Sequence, residues 1–398
     1  MTRQTKEETT IENEQPQPAI IIDDDVWEQL IDLTDGAAAL CYQCGTCTAA
    51  CPWGQFTNLD LSVRTFLRQA QIGVFQASEA LWLCTTCAQC QPLCPRGVNI
   101  VDVFRAIRTL AWQNRTVAEG LPSILWSLYW NDNPWSQPPS QRSAWAGDIA
   151  IPQFNAQEHE ILLYVGCTSS YDSRAQQIAL ALVQILRAAG IQFGYLGNLE
   201  PCCGEAVLNL GNRPFFEEIR AKTAAVFTQH GVTDLVVISP HCYDVFKNHY
   251  NTISKTIQVQ HYTQFLTQLL EEGRLRFSRS INKQVTYQDP CYLGRHNAEY
   301  AAARTIIDHL PGVEFREMSR NREAGLCCGG GGGRMWLETP AGERFADHRV
   351  KEALETKAQI LATACPFCAV CLEDSAKNLG QTELEIMDIA ELARLGIE

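Results

Sequence analysis

The sequence predicts an α+β protein in two parts, an all-α amino-terminal domain followed by a duplicated α/β cysteine-rich domain. Three observations carry that expectation. Two runs of four cysteines alternate with helix-period segments in the first third of the chain. Beyond residue 159, strand-like apolar runs alternate with helical ones. Cys167, Cys202 and Cys242 then recur as Cys291, Cys327 and Cys368 at offsets of 124, 125 and 126 residues, which marks an internal repeat.

At 398 residues the chain exceeds one ordinary core, and a hydrophobic fraction of 46% can fill several. Residues 1–24 are polar and acidic with Pro and Gln, the composition of a disordered tail, and they hold no apolar run of the kind a secretory signal needs. Helices are expected over 27–33, 59–72 and 98–112; in the last, Val101, Phe104, Ile107 and Arg108 share a side. These make a domain over 25–115. Residues 116–158 place Trp126, Trp130, Trp135 and Trp145 among prolines and read as a clasp over a domain seam, a partner-facing patch being the other reading. Strands are expected at 161–165, 235–238 and 284–287, and helices at 174–189, 213–230, 298–310 and 345–361. The repeats therefore span 159–280 and 281–398. The richest apolar run, 178–186, is half a membrane span and reads as a buried helix. The expectation is a soluble cytoplasmic protein with no direct membrane span, whose membrane association comes only through a partner. A net charge of -13 argues against a nucleic-acid surface.

Eighteen cysteines gathered in tight clusters point to metal rather than to a disulfide framework. Cys41, Cys44, Cys47 and Cys51, followed by Pro52, form C-x2-C-x2-C-x3-C-P, and Cys84, Cys87, Cys90 and Cys94, followed by Pro95, repeat it. This is the bacterial ferredoxin spacing, in which the fourth cysteine of each run ligates the other cluster. Two cubane [4Fe-4S] clusters follow: one on Cys41, Cys44, Cys47 and Cys94, the other on Cys84, Cys87, Cys90 and Cys51. Zinc sites separate their cysteine pairs by a dozen or more residues and fit these runs poorly.

The second repeat carries Cys291, Cys327-Cys328-Gly329 and Cys365-Pro366-Phe367-Cys368. Adjacent cysteines suit two irons of one cluster better than two corners of one zinc, and the glycines from Gly329 to Gly333 let backbone approach that cluster. The first repeat keeps Cys167, Cys202, Cys203 and Cys242 but has Ser239-Pro240-His241-Cys242 where the second has two cysteines. Its four thiols suit either a cubane cluster or zinc. His241 reads as a hydrogen-bonding neighbour or a substitute ligand, and Cys371 as a small buried residue.

The stretches CYQCGTCTAACP (41–52) and LWLCTTCAQCQPLCPRGVNIVDV (81–103) resemble the C subunit of heterodisulfide reductase, and the carboxy-terminal half resembles its B subunit. Together they resemble the fused D-type subunit over everything after the tail. In that cysteine-rich family each complete Cys-Cys-Gly motif holds a non-cubane [4Fe-4S] cluster. The resemblance thus implies that Cys291, Cys327, Cys328, Cys365 and Cys368 hold one and carry the chemistry. It implies an oxidoreductase subunit working with other redox subunits and with a flavin-containing partner that resembles the A subunit or is another flavin oxidoreductase. The family cleaves a disulfide with two such clusters, and Ser239 leaves this chain one complete set. Two other readings stand beside it. The architecture also resembles the iron-sulfur subunits of quinone-linked glycolate, lactate and glycerol-3-phosphate dehydrogenases, and the carboxy-terminal cysteines could instead hold structural zinc in an interaction module.

Overall fold

The computed structural model describes residues 22–397 except 24, 60, 75–77, 251–252 and 341. The tail expected over 1–24 lies outside the described residues but for 22 and 23.

The amino-terminal domain is helical. Asp25–Leu33 buries Val26 and Leu30, and Val63–Gln71 buries Val63, Phe66, Leu67 and Ala70, the i, i+3, i+4, i+7 stripe that a one-faced helix presents to a core. The helix expected from 59 starts only at Val63. The helix Ile100–Gln113, opened by Asn99, whose side chain accepts from the Asp102 backbone N–H, is buried on almost every side. A helix buried all round sits between layers. Here the layers are the two cysteine loops and the first repeat, whose Gly211 comes so close that a Cβ there would lie 2.6 Å from the Arg105 carbonyl oxygen.

In the connecting segment Trp145 is buried and Trp135 partly so, as a clasp requires, but Trp126 and Trp130 are 61% and 70% exposed. They flank the exposed Tyr129 on the outer side of the helix Leu121–Asn131. Burial thus divides the four tryptophans, the second pair being covered and the first pair exposed.

Each repeat is a four-stranded parallel sheet. The first is built from β1 (Ile161–Tyr164), β2 (Phe193–Gly194), β3 (Asp234–Val237) and β4 (Gln258–His261) in the order β2-β1-β3-β4. The second uses β5 (Lys283–Gln288), β6 (Val313–Phe315), β7 (Ile360–Thr363) and β8 (Glu385–Asp388) in the order β6-β5-β7-β8. The duplication read from cysteine offsets is thus one of topology too. β1 is buried along its whole length and β3 over its last three residues, and β5 and β7 are their counterparts, as expected for sheets covered on both faces. The strand order reverses between β1 and β3, and between β5 and β7. In open parallel sheets, ligands collect at the carboxyl ends of strands at such a switch point.

The helix expected over 298–310 covers only Ala302–Asp308, and a further element is corrected. The helix predicted over 345–361 ends at Glu355; Lys357 turns through φ 62°, and β7 begins at Ile360. Four consecutive buried residues form a short central strand whose apolar run merged, in sequence, with the helix before it.

Candidate metal centres

In the amino-terminal domain, Cys41, Cys44, Cys47 and Cys94 line one cavity, and Cys51, Cys84, Cys87 and Cys90 line a second. The fourth cysteine of each run therefore stands with the first three of the other. Ile100, at the start of the central helix, lines both. The two loops share a backbone pattern: Gln43 (φ 67°) and Gly45 (φ 85°) in one match Thr86 (φ 51°) and Ala88 (φ 58°) in the other. Such alternation of right- and left-handed residues turns successive N–H groups inward and makes a concavity for an anionic group, as at many iron-sulfur sites. Burial pushes the Cys84 and Cys90 thiols up, so these sulfurs ionise only against a bound cation.

In the second repeat the chain leaves β5 through Asp289-Pro290 to Cys291, and leaves β7 at Cys365, which opens the helix Pro366–Asn378. Cys327 and Cys328 lie in the loop between, and all five thiols are buried. Cys291 Sγ is 3.8 Å from Cys327 Sγ, and Cys368 Sγ is 3.2 Å from Cys328 Sγ. Full burial opposes the Cys365 thiolate, but hydrogen bonds with Cys368 and His241 outweigh it and bring the thiol down to about 5.

The first repeat brings Cys167, Cys202, Cys203 and Cys242 around one cavity. Ser239 does not replace the missing sulfur: its Oγ accepts the His241 backbone N–H at 3.3 Å and caps the helix Pro240–Asn248. Cys365, its counterpart, makes no such cap bond. Among the described residues no group of three or more His, Cys, Asp or Glu is arranged to hold a lone metal ion. All-thiol donor sets fit iron-sulfur clusters, and the four thiols of the first repeat suit zinc as well.

The glycine run has a different role from the one its sequence suggests. Only Gly329 N–H reaches sulfur, donating to Cys327 Sγ at 3.3 Å. A Cβ on Gly331 would lie 2.4 Å from the Thr85 carbonyl oxygen, and one on Gly332 would lie 2.3 Å from that of Cys84. The run is where the second cysteine loop of the amino-terminal domain presses onto the second repeat. Cys87 lies in that loop, near enough to Cys327 for each thiol to affect the other's ionisation. Arg295 donates to the Cys87 carbonyl at 2.7 Å, Tyr292 Oη pairs with Thr86 Oγ1 at 2.7 Å, and His296 Nε2 meets the Thr86 carbonyl at 2.8 Å.

Several contacts of this assembly were not read from the sequence. Arg108, fully buried, donates to the carbonyls of Leu81, Cys84, Asn209 and Gly332, joining three parts of the chain. Burial without a carboxylate lowers it to about 10. Arg142, from the connecting segment, pairs with buried Glu200 at 2.9 Å and reaches Cys167 Sγ at 3.6 Å. His241 crosses the repeat boundary. Its Nδ1 lies 2.6 Å from Glu205 Oε1, its ring stacks on Tyr292 at 4.1 Å, and it hydrogen-bonds Cys365 of the other repeat. A histidine beside a ligand-type cysteine was the available signal, but not its direction.

Residues 161–247 and 285–373 match the family described as "Cysteine-rich domain", and residues 37–98 match "4Fe-4S dicluster domain". The D-type subunit of the dihydromethanophenazine:CoB–CoM heterodisulfide reductase of Methanosarcina barkeri is 30% identical, over 88% of this chain and 92% of the relative. The chain belongs to the family of heterodisulfide reductase D-type subunits. It carries the cysteine-rich domain twice and the 4Fe-4S dicluster domain once. The chain is also 34% identical to a "Probable iron-sulfur-binding oxidoreductase" of Bacillus subtilis and to an "EtfAB:quinone oxidoreductase" of Syntrophomonas wolfei, over 81% and 79% of its length. It spans only 47% and 46% of those two relatives. Among the described residues no helix is long and apolar enough to cross a membrane.

Proposed function

We propose that the chain is the electron-transfer subunit of a multi-subunit cytoplasmic complex, linking a flavin-containing partner to a non-cubane [4Fe-4S] cluster in the second repeat. Cys41, Cys44, Cys47 and Cys94 would hold one cubane, and Cys84, Cys87, Cys90 and Cys51 the other. Cys291, Cys327, Cys328, Cys365 and Cys368 would hold the non-cubane cluster, and Cys167, Cys202, Cys203 and Cys242 a further cubane or zinc. Bound clusters supply reversible one-electron chemistry at potentials tuned by hydrogen bonds and burial.

The observation that carries this reading is the packing of the loop that bears Cys87 onto the second repeat, where Arg295 donates to the Cys87 carbonyl at 2.7 Å. The glycine run removes the side chains that would hold the two loops apart, Arg295 and Tyr292 fix the loop that bears Cys87, and burial keeps water from the junction. The second repeat is the end of the path because it alone keeps five thiols. Three roles fall to this chain's residues there: to bind, to exclude water, and to donate hydrogen bonds to sulfur from Gly329 and His241. Thiol-disulfide reduction at that site is one outcome. Quinone-linked turnover is the second reading, favoured by the relative named EtfAB:quinone oxidoreductase.

The test is anaerobic mixing of the purified chain with a reduced electron-transferring flavoprotein. Loss of the visible iron-sulfur absorbance is expected. In Cys328→Ser the part of that change belonging to the second repeat should vanish while the rest persists. No bleaching by any reduced flavoprotein would overturn the reading.

A further inference from the structure

The two cysteine sites of the amino-terminal domain differ in what covers them. The site on Cys84, Cys87, Cys90 and Cys51 is capped by the second repeat, where Gly331 and Gly332 meet the carbonyls of Thr85 and Cys84. The site on Cys41, Cys44, Cys47 and Cys94 faces outward. All eighteen cysteines lie among the described residues, and only Cys44 is exposed. Its sulfur meets Thr46 Oγ1 at 3.4 Å, and that of Cys41 accepts from Gln43 Nε2 at 3.5 Å, so both polar partners come from the same loop.

Three apolar side chains flank this site. Leu40, Tyr42 and Leu93 are 42%, 60% and 52% exposed, and each adjoins Cys41 or Cys94 in sequence. Single exposed apolar residues need no explanation, but three on the segments that carry one metal site make a patch for a partner to cover. Arg64 and Arg96 line the same site, and no carboxylate does. Both arginines are exposed and form no ion pair among the described residues. A Cβ on Gly45 would lie 3.4 Å from Arg64 Nη1, so that guanidinium rests against the cysteine loop. A cation that serves only the sulfurs can be buried against them, as Arg142 is against Cys167; these two stay at the surface. On a chain of net charge -13, an acidic partner is repelled by most of the surface and attracted here.

We propose that Leu40, Tyr42, Leu93, Arg64 and Arg96 form the docking surface for a soluble redox protein whose cofactor edge is rimmed by carboxylates. The inference rests on the electron-transfer reading above and adds to it the face and the charge of the partner. On that reading electrons enter beside Cys44. Apolar contact at the centre excludes water between the two partners, while the arginines steer and orient the encounter.

The probe is oxidised flavodoxin, an acidic flavin carrier, isotopically labelled for nuclear magnetic resonance and titrated with the oxidised, anaerobically purified full chain. Broadening of the amide signals around its flavin edge is expected, with affinity falling about tenfold as salt rises from about 0.1 M to about 0.5 M. Repulsion between the two net charges alone predicts the opposite sign, since screening would then strengthen binding. Arg64→Glu and Arg96→Glu should each weaken binding about fivefold or more at the lower salt and flatten its salt dependence. Leu93→Ser should weaken it about threefold with the salt dependence kept. Arg279→Glu makes the same change of net charge at an exposed position before β5, at the amino end of the second repeat's sheet, and should cost less than about twofold. Binding that is absent, that strengthens with salt, or that weakens equally in Arg96→Glu and Arg279→Glu would overturn the proposal; the salt series needs no variant to fold. A dimer of the chain that Arg96→Glu dissolves would also overturn it, because the face would then belong to a second copy. Bleaching by reduced flavoprotein, read on the same samples, separates the two inferences. Binding without bleaching sinks the electron-transfer reading and leaves the surface standing, and bleaching without binding sinks the surface alone.

Discussion

Replacing Gly331 by alanine tests the junction between the amino-terminal domain and the second repeat with a single methyl group. Gly331 does not adopt positive φ, so alanine brings no backbone strain there. What it brings is a Cβ 2.4 Å from the Thr85 carbonyl oxygen and 3.6 Å from Thr86 Oγ1. A carbon meets an oxygen at about 3.3 Å or more, so the two loops must part by roughly 1 Å. They are poorly placed to do so, since Arg108 ties Cys84 to Gly332, Arg295 holds Cys87, and Tyr292 holds Thr86. Overpacking of this kind costs about 1–3 kcal/mol, against about 0.4–1 kcal/mol gained by stiffening the unfolded chain. A net loss of ~1–2 kcal/mol is expected. Guanidinium unfolding of the anaerobic protein, followed by tryptophan fluorescence, should show a lower midpoint, and flavoprotein-driven reduction of the second repeat should slow. Gly54→Ala is the control, because nothing lies within 4 Å of its Cβ position and its φ is ordinary. If Gly331→Ala matched Gly54→Ala in both stability and electron transfer, the close-approach reasoning would be refuted.

Arg108→Met should destabilise the chain by ~3–5 kcal/mol in the same unfolding assay, because it strips charge-assisted bonds from four carbonyls inside the molecule. Arg108→Lys should fail to restore it, since an ammonium cannot span the fork. Burial raises Asp388 to about 8, and its carboxyl pairs with the Tyr262 hydroxyl. A carboxyl kept protonated in the native state stabilises fully below its unfolded value of about 4 and loses that contribution as pH rises through the folded value. Stability should therefore fall from about pH 4 to pH 8, and Asp388→Asn should flatten the profile; an unchanged slope would contradict this. His241→Gln should lower the potential of the second repeat's centre by up to about 60 mV, since a hydrogen bond to thiolate favours the more negative, reduced state. Redox titration followed by electron paramagnetic resonance reads it, and an upward shift would count against the cross-repeat contact.

Much of the arrangement was legible because cysteine spacing is a local signal. Two-residue gaps and the following prolines announced the paired cavities, and near-constant offsets announced the repeat. Short strands were harder: β2 has two residues and β6 three, too few for a period. β7 follows its helix with no glycine between them, because Lys357 makes the turn. The purpose of Gly331 and Gly332 could not be read locally, since the surface that demands glycine belongs to the loop at Cys84 and Thr85. Arg108 was a visible hint: an arginine on the same side as Val101, Phe104 and Ile107 must find partners inside, and it found carbonyls. Nothing local told Trp145 from Trp130, because only the packing of neighbouring segments decides which ring is covered.

The central claim is that the second repeat's five thiols hold an iron cluster in contact with the amino-terminal pair. Iron, zinc and sulfide counts on the anaerobically purified chain and on Cys328→Ser test it most directly. About twelve or more irons per chain are expected, falling by about four in the variant. About eight irons accompanied by zinc, unchanged in Cys328→Ser, would contradict the account.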